Sequence, residues 1–487
     1  MKNTLRGHLV YKGERGDSAY EIAVQEGFQG NKEAWLEQIG YEEINAKLPA
    51  NVKDFGAVGD GVTDDTAAIQ AAIDCENVDK LYFPTGTYLI NETVNLRSNI
   101  KLYGEGVIKI AGSATTTDMI RIDGFDNIVV DGLKFETTLN NTDASSFNRS
   151  TSVLWSNMIA FHITNSNNIS IMNSDFTNFE YAFKVDGNSD FNNNVLVENC
   201  KINNSPMPIY VSYTDNFKVR NCRMEAPECA SHLDHHIYGS AYCKNHIIEN
   251  CEFLNGGGLP IHYSDNYDND NVQGIYHAEN IIVSNVSLVN TFGGVFVDRN
   301  NSYMSVSNIS IHSSRAYDNG LFRSNNNAKL VVNGIDVFAE NSKLASARDG
   351  GTAVVRIFGG YANVKTVTGG ITAGNELVLK NVELEVKDNI IYHGSDKANY
   401  IIENCTIYYV DTDEESGYPL SIRNADTSIY FTNNTVIAKG SAPSYFIYNG
   451  ATDVCKNFIF ANNVIKGFST LVHSDANLVK AHNNYQV

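Results

Sequence analysis

The stretch VLVENCKI at residues 195–202 returns along the chain as FKVRNCRM at 217–224, HIIENCEF at 246–253, IIVSNVSL at 281–288, LVLKNVEL at 377–384 and IIENCTI at 401–407. In each copy alternating apolar residues lead to an Asn, followed by a small or branched residue and then an apolar one two places on. The Asn positions are Asn173, Asn199, Asn221, Asn250, Asn285, Asn308, Asn381, Asn404, Asn434 and Asn463, and Gly132 and Gly334 fill the same slot in VVDGLKF and VVNGIDV. Most steps span about 22 to 30 residues, a period typical of solenoids. Period-two alternation puts residues i and i+2 on one side of a strand. One such unit cannot bury its inward side, so the units must stack. The pattern therefore predicts an all-β chain, a single-stranded parallel β-helix of about a dozen rungs. Asn tolerates tight, left-handed bends, so its return predicts an amide ladder at one corner. Cys200, Cys222 and Cys251 each follow a ladder Asn and are expected as an interior thiol column. A β-sandwich has no need of one polar residue returning at one bend.

Composition agrees with a folded chain that avoids polyanions. Of the 487 residues, 43% are hydrophobic and 19% charged, and the formal net charge is −20. Nucleic acids and anionic membranes reward basic surfaces, so neither is expected as a partner. No apolar run reaches the length of a membrane span, and no secretory signal follows Met1, which predicts synthesis and folding in a cytoplasm. The eight cysteines include no C-x-x-C pair and no zinc spacing; they read as buried thiols in a reducing compartment.

The first residues read differently. Ser18 with Glu21 forms a capping-box pattern ahead of a short helix ending near Gly27. A second short helix runs from an Asn31 cap through Trp35, Leu36 and Ile39 to Gly40. Residues 1–48 are thus expected to be a small helical attachment module. Residues 49–95 are read as a cap on the coil, with Asp64 as N-cap of an amphipathic helix in which Ala68, Ile69, Ala72 and Ile73 share a face. Strands follow at Leu81–Phe83 and Tyr88–Ile90, and residues 96–487 form the β-helix proper.

The same register exposes a second strand per rung. Aligning YAFKVDG, MPIYVSY, HHIYGSA, LPIHYSD and GGVFVDR points Phe183, Ile209, Ile237, Ile261 and Val295 inward. Lys184, Tyr210, Tyr238, His262 and Phe296 then form one outward column, with Asp186, Ser212, Ser240, Ser264 and Asp298 beside it. Outward aromatic rings suit the apolar faces of sugars; they also mark interfaces between subunits. Next to the column lies the densest cluster of titratable groups, His232, Asp234, His235, His236 and Tyr238, with His262, Tyr263 and Asp265 one rung on and Arg299 beyond. Histidines and carboxylates are the groups that acid–base catalysis needs. Glu180 and Asp234 fall in one outward column two rungs apart, about 9.6 Å at the usual strand spacing, near the upper end of the roughly 6.5–9.5 Å of an inverting glycosidase pair. Glu180, Asp234, His235, His236 and Tyr238 are therefore the catalytic candidates. Lys184, Asp186, Tyr210, His262, Tyr263, Asp265, Asp298 and Arg299 are the candidates for holding substrate. Three chemistries stay open: hydrolysis, elimination with Tyr238 and His236 or His262 as base and acid and Lys184, Arg220 or Arg223 neutralising a uronate, and binding alone. The His232, Asp234 and His235 spacing matches no strong metal motif, so neither metal nor cofactor is expected.

Two stretches carry a family resemblance. VKDFGAVGDGVTDDTAAIQAAID at 52–74 resembles the opening of the pectate-lyase-like β-helix superfamily found in phage tailspikes, and GERGDSAYEIAVQEGFQGNKEAWLEQIG at 13–40 is similar to a module near the N-termini of phage tail fibres. The resemblance implies a right-handed coil and a homotrimeric virion tail protein attached through its N-terminus. It also implies binding or depolymerisation of a bacterial surface polysaccharide, capsule or lipopolysaccharide. Catalytic residues vary within that superfamily, so it assigns none here. The rungs run to about Asn463, which leaves little room for a separate C-terminal trimerisation domain.

Overall fold

The computed structural model describes residues 23–32, 34–35, 49–111, 117–138, 158–187, 191–227, 235–264, 278–298, 302–348, 352–392, 397–410, 418–422, 426–440, 445–449, 457–472, 481–482 and 484–486. They form a parallel β-solenoid of about thirteen turns. Every pairing within it is parallel, and each strand pairs with its counterpart on the next rung. Three faces wrap the core. One rung shows all of them: Asn192–Glu198 lies on the first face, Lys201–Asn203 on the second, and the start of Ile209–Arg220 on the third, before that strand crosses into the next rung.

The Asn corner is present. Asn173, Asn199, Asn221, Asn250, Asn285, Asn308, Asn381 and Asn404 all have positive φ, as do Gly132 and Gly334. Their side chains form the ladder: Asn199 Nδ2 donates to Asn173 Oδ1 at 3.2 Å, Asn285 to Asn250 at 3.1 Å and Asn308 to Asn285 at 3.0 Å. At the C-terminal end the expected slot is one residue out. Asn433 and Asn462 take the left-handed corner, and Asn434 and Asn463 turn inward and are buried. In an Asn-Asn pair either residue fits the corner, and here the first takes it. The second then serves the interior: Cys405 N–H donates to Asn434 Oδ1, Asn434 N–H to Asn463 Oδ1 and Asn463 N–H to Asn484 Oδ1, at 2.9, 2.9 and 3.0 Å. Two further corners carry left-handed Asn residues and ladders of their own, among them Asn127 to Asn99 and Asn168 to Asn127, and Asn204 to Asn178.

The interior is apolar and close-packed. Phe135, Phe161, Phe176 and Phe183 stack across rungs, with Phe135 and Phe176 nearly parallel at 5.1 Å. Cys200, Cys222 and Cys251 line up one rung apart, all buried, each thiol against a backbone carbonyl. Cys229 and Cys455 lie outside the described residues. The helix Thr66–Asp74 packs Ile69, Ala72 and Ile73 onto the first rungs. Its N-cap is Asp65, one residue later than expected. That carboxylate is buried and accepts the Val58 and Gly59 N–H groups at 2.7 and 3.0 Å, while Asp64 accepts from Thr66 N–H. The Arg97 guanidinium closes the other end on the carbonyls of Ile73, Cys75 and Val78. In the N-terminal segment, Asn31 Oδ1 accepts from Ala34 N–H at 2.9 Å.

Candidate functional site

On the third face the register runs as the alternation requires. Phe183, Ile209, Ile237, Ile261 and Val295 stack inward and are fully buried. Outward, Lys184, Tyr210, Tyr238, His262 and Phe296 occupy consecutive rungs. The column is longer than the sequence suggested. Arg121 and His162 precede Lys184, and Arg323 follows Phe296. DMIRID and IAFHIT carry the same strand pattern, but the segment separating them, 124–158, is much longer than one rung needs.

The middle of the column is tightly packed. Tyr238, His262 and Phe296 are only 7%, 9% and 4% exposed. The expected open aromatic strip is a packed stack, because each ring covers its neighbour. His262 stacks on Phe296 at 4.4 Å and lies 5.1 Å from Tyr238, and the Arg323 guanidinium sits 4.4 Å over Phe296 from the other side. Tyr210, half-buried, adjoins Tyr238 at 5.8 Å and Tyr181 at 6.3 Å.

His235 sets the tautomer of His262. The Leu259 carbonyl can only accept, so His235 Nδ1 carries a proton and donates to it at 2.9 Å. With both rings neutral, His235 Nε2 accepts from His262 Nδ1–H, again at 2.9 Å. His262 Nε2 is then a bare lone pair, buried and without a hydrogen-bond partner among the described residues. Burial first, then the neighbouring His235 ring and the Arg323 guanidinium, hold the His262 pKa well below the usual histidine value. At neutral pH the ring is therefore uncharged, and Nε2 faces outward from His235 as a hydrogen-bond acceptor.

Two candidates sit elsewhere. His236 is 1% exposed, donates Nε2–H to the Leu254 carbonyl at 3.0 Å and faces Phe253 edge-on. Burial lowers its pKa to about 4; it is a neutral structural group. Tyr263 follows outward His262, so alternation turns it into the core. Its ring fills the slot beside Gly239, where a Cβ would collide with it, and its hydroxyl donates to buried His246 Nδ1 at 3.0 Å. Tyr263 contacts no substrate from there. Arg220 and Arg223 lie on the first and second faces, paired with Glu198 at 2.9 Å and Glu252 at 3.0 Å, away from Lys184.

The leading rungs are ionic. The His162 ring bridges Asp118 and Asp186, each at 2.8 Å; Lys184 pairs with Asp186 and Arg121 with Asp118, both at 3.1 Å. Burial opposes charge on His162, but the hydrogen bonds and charges of the two carboxylates outweigh it and raise its pKa to about 9. For Asp118 and Asp186 burial works against ionisation too, and His162 carries both below the usual carboxylate range. Asp298 accepts from Asn326 at 3.0 Å and from Ser264 at 3.4 Å. Glu180 is half-buried, its N–H on the Met158 carbonyl at 3.0 Å. Asp234, Asp265 and Arg299 lie outside the described residues, as does His232.

Known proteins resemble parts of this chain. Residues 50–252 match the family described as rhamnogalacturonase A/epimerase, pectate lyase-like. A probable glucan endo-1,3-beta-glucosidase of Arthroderma benhamiae is 48% identical over 66 residues, 13% of this chain and 8% of that protein. A mannuronan C5-epimerase of Azotobacter vinelandii is 42% identical over 87 residues, 15% and 6% of the two chains. Plasmin and fibronectin-binding protein A of Streptococcus pneumoniae is 32% identical over 188 residues, 32% and 24%. The chain thus spans less than a quarter of the length of each of these relatives. Among solved structures, tailspike protein 3 of bacteriophage CBA120 is similar at TM-score 0.48 and 11% identity, covering 90% of this chain and 63% of that one.

Proposed function

We propose that this protein binds and depolymerises a bacterial surface polysaccharide, capsule or lipopolysaccharide, as a homotrimeric tailspike on a virion tail. The observation that carries the reading is the outward column on consecutive rungs, in which the partly exposed Arg121, Lys184, Tyr210 and Arg323 flank the packed Tyr238, His262 and Phe296 stack. A linear polymer is the ligand that a repeating column fits. The pectate-lyase-like family match over the first half and the polysaccharide-acting relatives support it. The resemblance of residues 13–40 to tail-fibre modules supports the virion.

Glycoside hydrolysis is the chemistry assigned first, with Glu180 and Asp234 as acid–base pair and Lys184, Tyr210, Asp265, Asp298 and Arg299 holding the chain. Incubating the protein with capsule or lipopolysaccharide and sizing the product tests this. Unchanged chain length refutes depolymerisation and leaves an adhesin. Full activity in Glu180→Gln or Asp234→Asn removes the pair.

One observation favours a second reading, elimination from a uronic acid. His262 Nε2 holds a fixed lone pair that no described residue shares, with the Arg323 cation close by. His262 would take the proton next to the carboxylate, that electron pair would form the double bond as the glycosidic C–O bond breaks, and the departing oxygen would take a proton from water. Ultraviolet absorbance from an unsaturated uronate distinguishes this product from that of hydrolysis.

A further inference from the structure

Where the third face turns into the first, the backbone adopts an unusual conformation. Ser212 pairs with Ser240, but Thr214 pairs with Cys243, so the next rung carries one extra residue, a bulge. Tyr213 and Ala241 sit there with φ of +45° and +54°. Among the described non-glycine residues with positive φ, all others except Lys397 are Asn. Left-handed backbone brings the Cβ against the carbonyl oxygen, and for a bulky residue it is a true outlier. Asn at Tyr213 would suit the coil better, as it does at its other corners.

The strain presents a ring. Tyr213 lies 6.0 Å from Phe191, and Tyr242 meets Phe191 at 4.8 Å and 62°. Phe191 is 43% exposed, one of the few large apolar side chains on the surface. The three rings span three rungs and adjoin the outward column, since Tyr213 is three residues past Tyr210 and Tyr242 four past Tyr238. A polar edge runs beside them: Asn216 donates to Asn193 at 2.9 Å, Asn245 to Asp215 at 2.8 Å, and Lys244 pairs with Glu279 at 3.3 Å. Apolar rings bordered by amides and carboxylates match a pyranose, which offers a C–H face and a rim of hydroxyls.

We infer that Phe191, Tyr213 and Tyr242 form a glycan-stacking subsite that extends the proposed groove around the corner, an assignment that rests on the polysaccharide reading. The left-handed backbone at Tyr213, together with the exposed Phe191 ring beside it, is what favours a ligand role over plain packing. The experiment compares wild type with Phe191→Ala, Tyr242→Ala and Tyr213→Gly. Each is titrated calorimetrically with short and long size fractions of capsule and lipopolysaccharide oligosaccharides, and its melting temperature and sedimentation are measured. Glycine relieves the left-handed strain, so Tyr213→Gly raises the melting temperature. In all three variants the affinity advantage of long over short fragments shrinks about tenfold, the scale of one lost aromatic contact. A lower melting temperature for Tyr213→Gly, with the length advantage intact, identifies the ring as packing and overturns the subsite. So does a changed sedimentation coefficient with unchanged binding, which marks a subunit contact. A wild-type protein that binds none of the fractions overturns the polysaccharide reading and the subsite with it. Wild-type binding with the length advantage unchanged in all variants overturns the subsite alone.

Discussion

Two stretches of one outward column are built to opposite rules. From Arg121 to Lys184 every charge has a partner: Asp118, His162 and Asp186 form a bridged row, capped by Arg121 and Lys184. From Tyr238 to Phe296 the groups are neutral, stacked and largely dry, and one lone pair, His262 Nε2, has no partner among the described residues. The first arrangement spends its hydrogen-bonding capacity on holding rungs together. The second leaves capacity unused among the described residues, and an unused group in a buried setting calls for a ligand, a water or a chemical role. Matching residue types is therefore a poor guide to function along this column; saturation of partners separates the stretches.

The largest expected effect tests the unsaturated stretch. If elimination is the chemistry, His262→Gln should lower depolymerising activity of the folded protein about a thousandfold, within the range of a lost acid–base group, beyond any loss of stability from the packed ring. His235→Ala, which frees the tautomer, should follow it in kcat more than in KM. An active His262→Gln enzyme would reduce the middle stretch to packing.

Next comes the saturated stretch. His162→Ala leaves two carboxylates facing each other and should destabilise the fold by about 3 kcal/mol in chemical denaturation, with catalysis by the folded fraction intact. Its pH signature is defined. The folded pKa of His162 is raised from 6.5 to about 9, so its contribution is full below pH 6.5 and fades as pH rises through 9. Asp118 and Asp186 are shifted below 3.8, so theirs is present above that value and lost as pH falls. Wild type should lose stability between pH 6.5 and 9, and His162→Ala should not. A parallel alkaline decline in both proteins would break the contrast.

A smaller effect is expected at Gly239, where an added Cβ overlaps the Tyr263 ring. Gly239→Ala should lower stability by about 2 kcal/mol and disturb the His246 hydrogen bond. Smallest is Tyr210→Phe, which should weaken glycan affinity by no more than about threefold, measured by titration.

Much of this was legible in the sequence. Strict alternation fixed which side of each strand faces in, and VLVENCKI and its copies supplied the rung period. Tyr263 shows the cost of reading a cluster by composition: its neighbour His262 points outward, and the same alternation buries Tyr263. His162 was hidden because a long segment separates its strand from the one before, and its importance comes from Asp118, which lies 44 positions upstream. The left-handed Tyr213 carries no signature at all, since a one-residue bulge is set by the pairing of two rungs and not by either alone. Asn434 and Asn463 were read one slot out because adjacent Asn residues are interchangeable at a corner.

Those two residues set an order of assembly. The buried N–H of Cys405 is satisfied by Asn434, that of Asn434 by Asn463, and that of Asn463 by Asn484. Each rung in this stretch is thus completed by a rung translated after it. A ribosome emitting the chain from its N-terminus holds an unfinished edge until Asn484 emerges, and these turns close together, as a last stitch locks the row behind it.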